Sequence, residues 1–240
     1  MMPIRAKKSF SQNWLIDDGV LETIINTAKL KRGERVLEIG PGTGILTEAL
    51  LDTGACVTAV EADKDLIEPL EKKFGGKITL VHDDIFSFVS EPLHLSALSP
   101  FHLVSNIPYN ITSDILRVFL TSKSKPQQMI LLLQREVVDR IVAKPPKMSL
   151  LSVVCQLYAC CEKTVDVPRA AFRPIPKVDS AVVRLVPRKT GSDDEREKII
   201  KIAKAGFSNP RKQLHGNLCL NRSHQIRAKR LETKNHSAKS

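Results

Sequence analysis

Arg35-Val36-Leu37-Glu38-Ile39-Gly40-Pro41-Gly42-Thr43-Gly44 is a short apolar run that passes directly into a turn of alternating glycines. Ile45 to Asp52 follows with helical period, placing Leu46, Ala49 and Leu50 on one face. A buried strand, a glycine turn and a helix form the opening unit of an α/β sheet, and the flanking sequence repeats that rhythm. Cys56–Glu61 reads as a second strand and about Lys64 to Phe74 as a helix, which Pro69 should kink or shorten. Ile78–Val81 and His102–Ser105 are further strands, Ser113–Thr121 a helix and Met129–Leu133 a strand. Strand–helix alternation of this kind predicts a mainly parallel sheet with helices on both faces.

The rhythm changes after Ser149. A helix from about Leu150 to Ala159 leads to a strand over Thr164–Val167, a proline-rich turn, and a strand over Ala181–Val186. These last two strands are expected as an antiparallel edge, completing a seven-stranded sheet. Pro187 to Asp194 is polar and reads as a linker. Beyond it, Ile199, Ile200, Ile202, Ala203 and Phe207 suggest an amphipathic helix, with a weaker one near Leu214 to Leu220. Two units are expected: an α/β domain over 1–187 and a small helical domain over 188–240.

Charge divides along the same line. The chain carries a net +11, yet residues 188–240 hold 14 Lys+Arg against 5 Asp+Glu, whereas 1–187 are nearly balanced. A basic tail on a near-neutral body points to a polyanionic partner. The five cysteines, Cys56, Cys155, Cys160, Cys161 and Cys219, form no CxxC pair and no His/Cys cluster with metal spacing. They read as reduced thiols, no metal is expected, and no apolar run is long enough to span a bilayer. A cytoplasmic monomer is the expectation.

The glycine turn narrows the chemistry. A dinucleotide fingerprint needs Gly or Ala where Ile45 stands, and a phosphate loop needs Gly-Lys-Ser/Thr, which is absent. What remains, Glu-x-Gly-x-Gly-x-Gly, resembles the first motif of class I methyltransferases and so implies a Rossmann-like fold. An acidic residue there suits the sulfonium and ammonium of S-adenosylmethionine and suits a pyrophosphate poorly. Gly40 and Gly42 let such a ligand approach the backbone. Glu61 ends the second strand, where a carboxylate can accept from ribose hydroxyls, and Asp84 follows the third, placed to accept from an adenine amine.

Asn106-Ile107-Pro108-Tyr109 closes the fourth strand. The exocyclic amine of adenine is a poor nucleophile because its lone pair is delocalised into the ring. An Asn106 side-chain oxygen and a carbonyl of Ile107 or Pro108 could hold its N–H groups and aim the lone pair at a methyl donor. Pro108 stiffens the backbone, and Tyr109 offers a surface for base stacking.

Together these residues are similar to the KsgA/RsmA family of small-subunit ribosomal RNA adenine N6,N6-dimethyltransferases over nearly the whole chain. Lys8-Ser9-Phe10-Ser11-Gln12-Asn13-Trp14-Leu15 resembles the family's amino-terminal cofactor motif, with Trp14 where Phe is usual. Asn106-Ile107-Pro108-Tyr109-Asn110-Ile111 resembles its catalytic Asn-Leu-Pro-Tyr-Asn-Ile. Further matches are Gln134–Val137, Leu151–Val153, Phe172–Ser180, and Phe207 with Arg211-Lys212-Gln213-Leu214. The resemblance implies that Asn13, Leu15, Gly40, Glu61, Asp84 and Asn106 contact S-adenosylmethionine. It also implies that Phe172 forms the other wall of the base pocket and that Arg211 and Lys212 meet RNA. The implied substrate is small-subunit rRNA or its assembly precursor, dimethylated at two adjacent adenosines in a loop, where unpaired bases are reached at low cost. Lys144–Leu150 lacks the family's glycine and tyrosine, and the family normally continues into another helix after Arg227–Leu231. The competing readings are a large-subunit rRNA adenine methyltransferase that confers antibiotic resistance and a non-catalytic assembly or transcription factor on the same fold. The Gln134–Val137 and Arg211-Lys212 segments favour the small-subunit reading.

Overall fold

The computed structural model describes residues 12–188 and 192–208. Seven strands form one sheet: β2 (Arg35–Ile39), β3 (Cys56–Glu61), β4 (Thr79–His82), β5 (Phe101–Asn106), β6 (Met129–Gln134), β7 (Ala159–Val167) and β9 (Ser180–Pro187). Their order is β4-β3-β2-β5-β6-β9-β7, parallel from β4 to β6, with β9 antiparallel to both of its neighbours. The expected mainly parallel sheet with an antiparallel edge is present. The expected strand over 164–167 is the last part of β7, which begins at Ala159 and carries an irregularity between Lys163 and Val165.

Alternate residues of the strands serve two cores. Leu37, Leu103, Met129, Leu131, Leu133, Val183 and Leu185 face one apolar cluster with Phe101, Leu116 and Phe119. Val36, Val57, Val104, Ile130, Leu132 and Val182 face the other, with Val20, Ile24, Leu46, Leu50 and Phe172. Burial on both faces explains why the central strands are apolar without interruption.

The helices are α1 (Asp18–Ala28), α2 (Ile45–Asp52), α3 (Lys64–Phe74), α4 (Ile85–Ser90), α5 (Pro92–Leu98), α6 (Thr112–Thr121), α7 (Arg135–Val142), α8 (Leu150–Tyr158) and α9 (Asp193–Gly206). Pro69 does not end α3; the helix starts on the Asp63 cap and buries Leu66, Leu70 and Phe74. Packing of that stripe offsets the backbone hydrogen bond that proline removes. A second, two-stranded sheet pairs β1 (Trp14–Leu15) with β8 (Phe172–Arg173). No helix among the described residues is long and apolar enough to cross a membrane.

Two arrangements place the site. The chain enters the sheet centrally at β2, builds outward to β4, and returns to β5 on the other side of β2. Loops after β2 and β5 therefore diverge, leaving a cleft beyond the carboxyl ends of the strands. At the other end of the chain, α9 lies against the α/β body. Its Arg196 is 5% exposed and sits 5.1 Å from the Tyr158 ring centroid, a cation–π contact. The linker expected at 187–194 is only partly described, and the weaker helix expected near 214–220 lies outside the described residues, as does Cys219. Cys56, Cys155, Cys160 and Cys161 are free thiols.

Candidate active site

Gly40 and Gly42 both adopt positive φ (62° and 61°), which L side chains rarely do. A Cβ at Gly40 would meet nothing within 4 Å, whereas one at Gly42 would come within 2.9 Å of the Trp14 ring. The turn is therefore open to the cleft at Gly40 and roofed by β1 at Gly42. Gly40 N–H donates to the Val60 carbonyl (2.9 Å), tying the turn to β3.

Glu61 secures the same turn from below. Its carboxylate accepts from the backbone N–H of Gly42 (3.2 Å) and of Asp63 (2.9 Å), and the residue is 5% exposed. Burial raises its pKa, and those two backbone donors pull it back. Glu61 thus organises the loop as well as facing the cleft, and each oxygen retains a further lone pair for a ligand. Glu38, 2% exposed, accepts from the Thr47 hydroxyl (2.7 Å). Burial pushes its carboxyl up to about 8, with the Thr47 bond lowering it and the neighbouring Glu61 charge adding to the rise. Asp84 stands at the mouth, exposed, and caps α4 by accepting from Phe86 N–H (2.8 Å). Asp83 lines the cleft beside it.

The opposite wall is neutral. Asn106 Nδ2 donates to the Asn13 carbonyl (3.0 Å). A carbonyl only accepts, so this bond fixes which end of the amide is nitrogen and leaves Oδ1 for the cleft. Ile107 N–H donates to the Leu132 carbonyl (3.2 Å), while the Pro108 carbonyl accepts from Ile111 N–H (3.2 Å). Tyr109, half-buried, hydrogen-bonds through its hydroxyl to Ser180 (2.8 Å). Burial raises the phenol pKa, against the lowering effect of Ser180.

One cleft gathers Asn13, Leu15, Gly40, Gly42, Glu61, Asp84, Asn106, Ile107, Pro108 and Tyr109. Phe172 does not join them. It is 0% exposed, paired with Leu15 in the two-stranded sheet and packed in the core with Val20 and Val182. A ring with no accessible face is a core residue here and not a pocket wall. Arg211, Lys212 and Lys8–Ser11 lie outside the described residues. Sequence reasoning quoted Gln12 within the amino-terminal motif but gave it no role of its own; its amide donates to Asp63 (2.9 Å), tying the segment before β1 to the end of β3. It also gave no role to the Thr47 partner of Glu38, which its position one turn into α2 could have suggested. Among the described residues lining the cleft there are four carboxylates and no Lys, Arg or His. Such a lining repels phosphate and accommodates a cation.

The model of the family described as ribosomal RNA adenine dimethylase matches residues 4–239. The ribosomal RNA small subunit methyltransferase A of Dehalococcoides mccartyi is 42% identical over 88% of this chain and 74% of its own length. The protein of the same name from Rippkaea orientalis is 43% identical over 88% of this chain and 83% of its own. Among solved structures, a dimethyladenosine transferase from Plasmodium falciparum superposes with a TM-score of 0.72 at 28% identity, covering 85% of this chain and 74% of that one. The 23S rRNA methyltransferase ErmE gives 0.71 at 30% identity, covering 86% and 84%.

Proposed function

The chain belongs to the ribosomal RNA adenine dimethylase family, and from that membership we propose that it methylates N6 of two adjacent adenosines in small-subunit rRNA with S-adenosylmethionine. The relatives near 40% identity carry the small-subunit name, which favours this substrate over the large-subunit one of ErmE. The observation that carries the reading is the amide of Asn106, oriented by Asn13 and set beside an acidic, base-free glycine cleft.

S-adenosylmethionine supplies, when bound, a methyl group already activated on a sulfonium. Gly40 offers the close backbone approach, Glu61 accepts from the ribose, Asp84 from the adenine amine, and Asn13 and Leu15 close the cleft from β1. On the neutral wall, Asn106 Oδ1 accepts one N–H of the target amine. The Ile107 carbonyl is assigned the other, because the Pro108 carbonyl already accepts from both Ile111 N–H and the Thr112 hydroxyl. Two acceptors at fixed positions turn the nitrogen lone pair toward the donor, so the residues work by alignment. Tyr109, held at its hydroxyl by Ser180, stacks on the base with one face. The basic tail, with Arg211 and Lys212, supplies phosphate contacts; Arg196 is not among them, since Tyr158 covers it.

Labelled methyl transfer to unmethylated small and large ribosomal subunits, with mapping of the modified base, tests the proposal. Dimethyladenosine at two neighbouring small-subunit positions is expected; label confined to large subunits would replace this substrate with that of the ErmE type.

A further inference from the structure

Trp14 differs from every other described residue of the cleft in one respect. Its indole nitrogen is buried and meets no hydrogen-bond partner among the described residues. A desolvated donor of this kind carries a penalty until an acceptor reaches it. The ring edge bearing the N–H lies against Gly42, where a Cβ would stand 3.1 Å from the nitrogen. The backbone that carries the ring is also held in place: Trp14 pairs with Arg173, and its neighbours Gln12 and Asn13 are bonded to Asp63 and Asn106.

We propose that Trp14 N–H is a specificity-determining donor for the carboxylate at the amino-acid end of the methyl donor, an inference that rests on reading this cleft as an S-adenosylmethionine site. Indole nitrogen donates and does not accept, so its partner is neither the ammonium nor the sulfonium. The carboxylate needs a holder, and the described cleft offers it no Lys, Arg or His. Among the described residues only neutral donors are left to hold it, and a charge-assisted bond is the strongest that an indole can make. Position agrees. Glu61 and Asp84 take the ribose and adenine at the ends of β3 and β4, whereas Trp14 adjoins Asn13, whose carbonyl orients Asn106 where the methyl leaves. Arrival of the carboxylate requires the turn to yield slightly at Gly42, and the new hydrogen bond offsets that movement.

Trp14 is the sole tryptophan of the chain, so intrinsic fluorescence reports its surroundings directly. Two ligands separate the ends of the cofactor: S-adenosylhomocysteine, and 5′-methylthioadenosine, which keeps nucleoside and sulfur but has no carboxylate. Fluorescence of the unaltered protein is expected to change on binding the first and much less on binding the second. By calorimetry, W14F, which keeps a ring and loses the N–H, is expected to bind S-adenosylhomocysteine about tenfold more weakly and 5′-methylthioadenosine within about twofold. Equal losses for both ligands, or none, overturn the assignment. If W14F does not fold, 1-methyltryptophan at position 14 preserves shape without the donor and is held to the same two ratios. Failure of the unaltered protein to bind S-adenosylhomocysteine at all would sink the reading of the cleft rather than the role of Trp14.

Discussion

The two walls of the cleft are built on different principles. On the side formed by β2, β3 and β4, acidity and backbone shape do the work: four acidic side chains line the cleft, and Glu61 binds the glycine turn through Gly42 N–H. On the β5 side the residues are neutral, and direction replaces charge: Asn106, Ile107 and Tyr109 are each held by a bond to a distant part of the chain. An acidic wall attracts a cationic cofactor whatever its exact pose. A neutral wall must aim, because a weakly nucleophilic amine reacts only when its lone pair lies in line with the methyl group. The comparison teaches that losses on one wall should appear as binding and losses on the other as rate.

Asn106→Ala is the strongest way to break that division. Removing one preorganised hydrogen-bonding group typically costs on the order of 10²–10³ in kcat, and single-turnover transfer should fall by at least that much. Cofactor affinity should stay within a few-fold; methylation at the normal rate would remove Asn106 from the chemistry. Glu61→Gln probes the other wall. It keeps the shape and loses the charge-assisted bonds to Gly42 and Asp63, so S-adenosylmethionine affinity should fall about tenfold or more, while the rate at saturating cofactor changes far less. A fall in saturated rate with unchanged affinity would invert the assignment of the walls.

The smallest effect concerns protons. With its carboxyl pushed up to about 8, Glu38 is mainly protonated at pH 7 and loses its proton when a cation settles beside it. Binding of S-adenosylmethionine should therefore release protons at pH 7, and its affinity should rise a few-fold between pH 7 and 9. Calorimetry in buffers of different ionisation enthalpy measures this; identical heats in all buffers would show that Glu38 does not titrate on binding. The same shift bears on stability. A carboxyl whose folded pKa exceeds its unfolded value stabilises the fold fully below the ordinary carboxylate range, and that contribution is lost as pH rises through about 8.

Much of this was legible before any coordinates. The bounds of β2, α2, β3 and α3 fall where the apolar period put them. Other elements left little local signal. α1 begins on Asp17, but its last turn ends at Lys29 with φ 49°, a left-handed cap where glycine would have marked the stop. β1 and β8 are two residues each, too short for any alternation to register. Phe172 shows the limit most clearly: its motif suggested a pocket wall, and only its complete burial in the core with Val20 and Val182 shows that the ring faces inward.

The sequence by itself determined the sheet, the glycine turn, the acids at the strand ends and the Asn-Ile-Pro-Tyr segment, because each is a property of neighbours along the chain. Tertiary structure alone decided which lone pairs and donors face the cleft. The bonds that settle this join Asn106 to Asn13, Gln12 to Asp63 and Tyr109 to Ser180, across 93, 51 and 71 residues. Hydrogen bonds are directional and short-ranged, so contacts over such separations exist only once the whole sheet has brought its ends together.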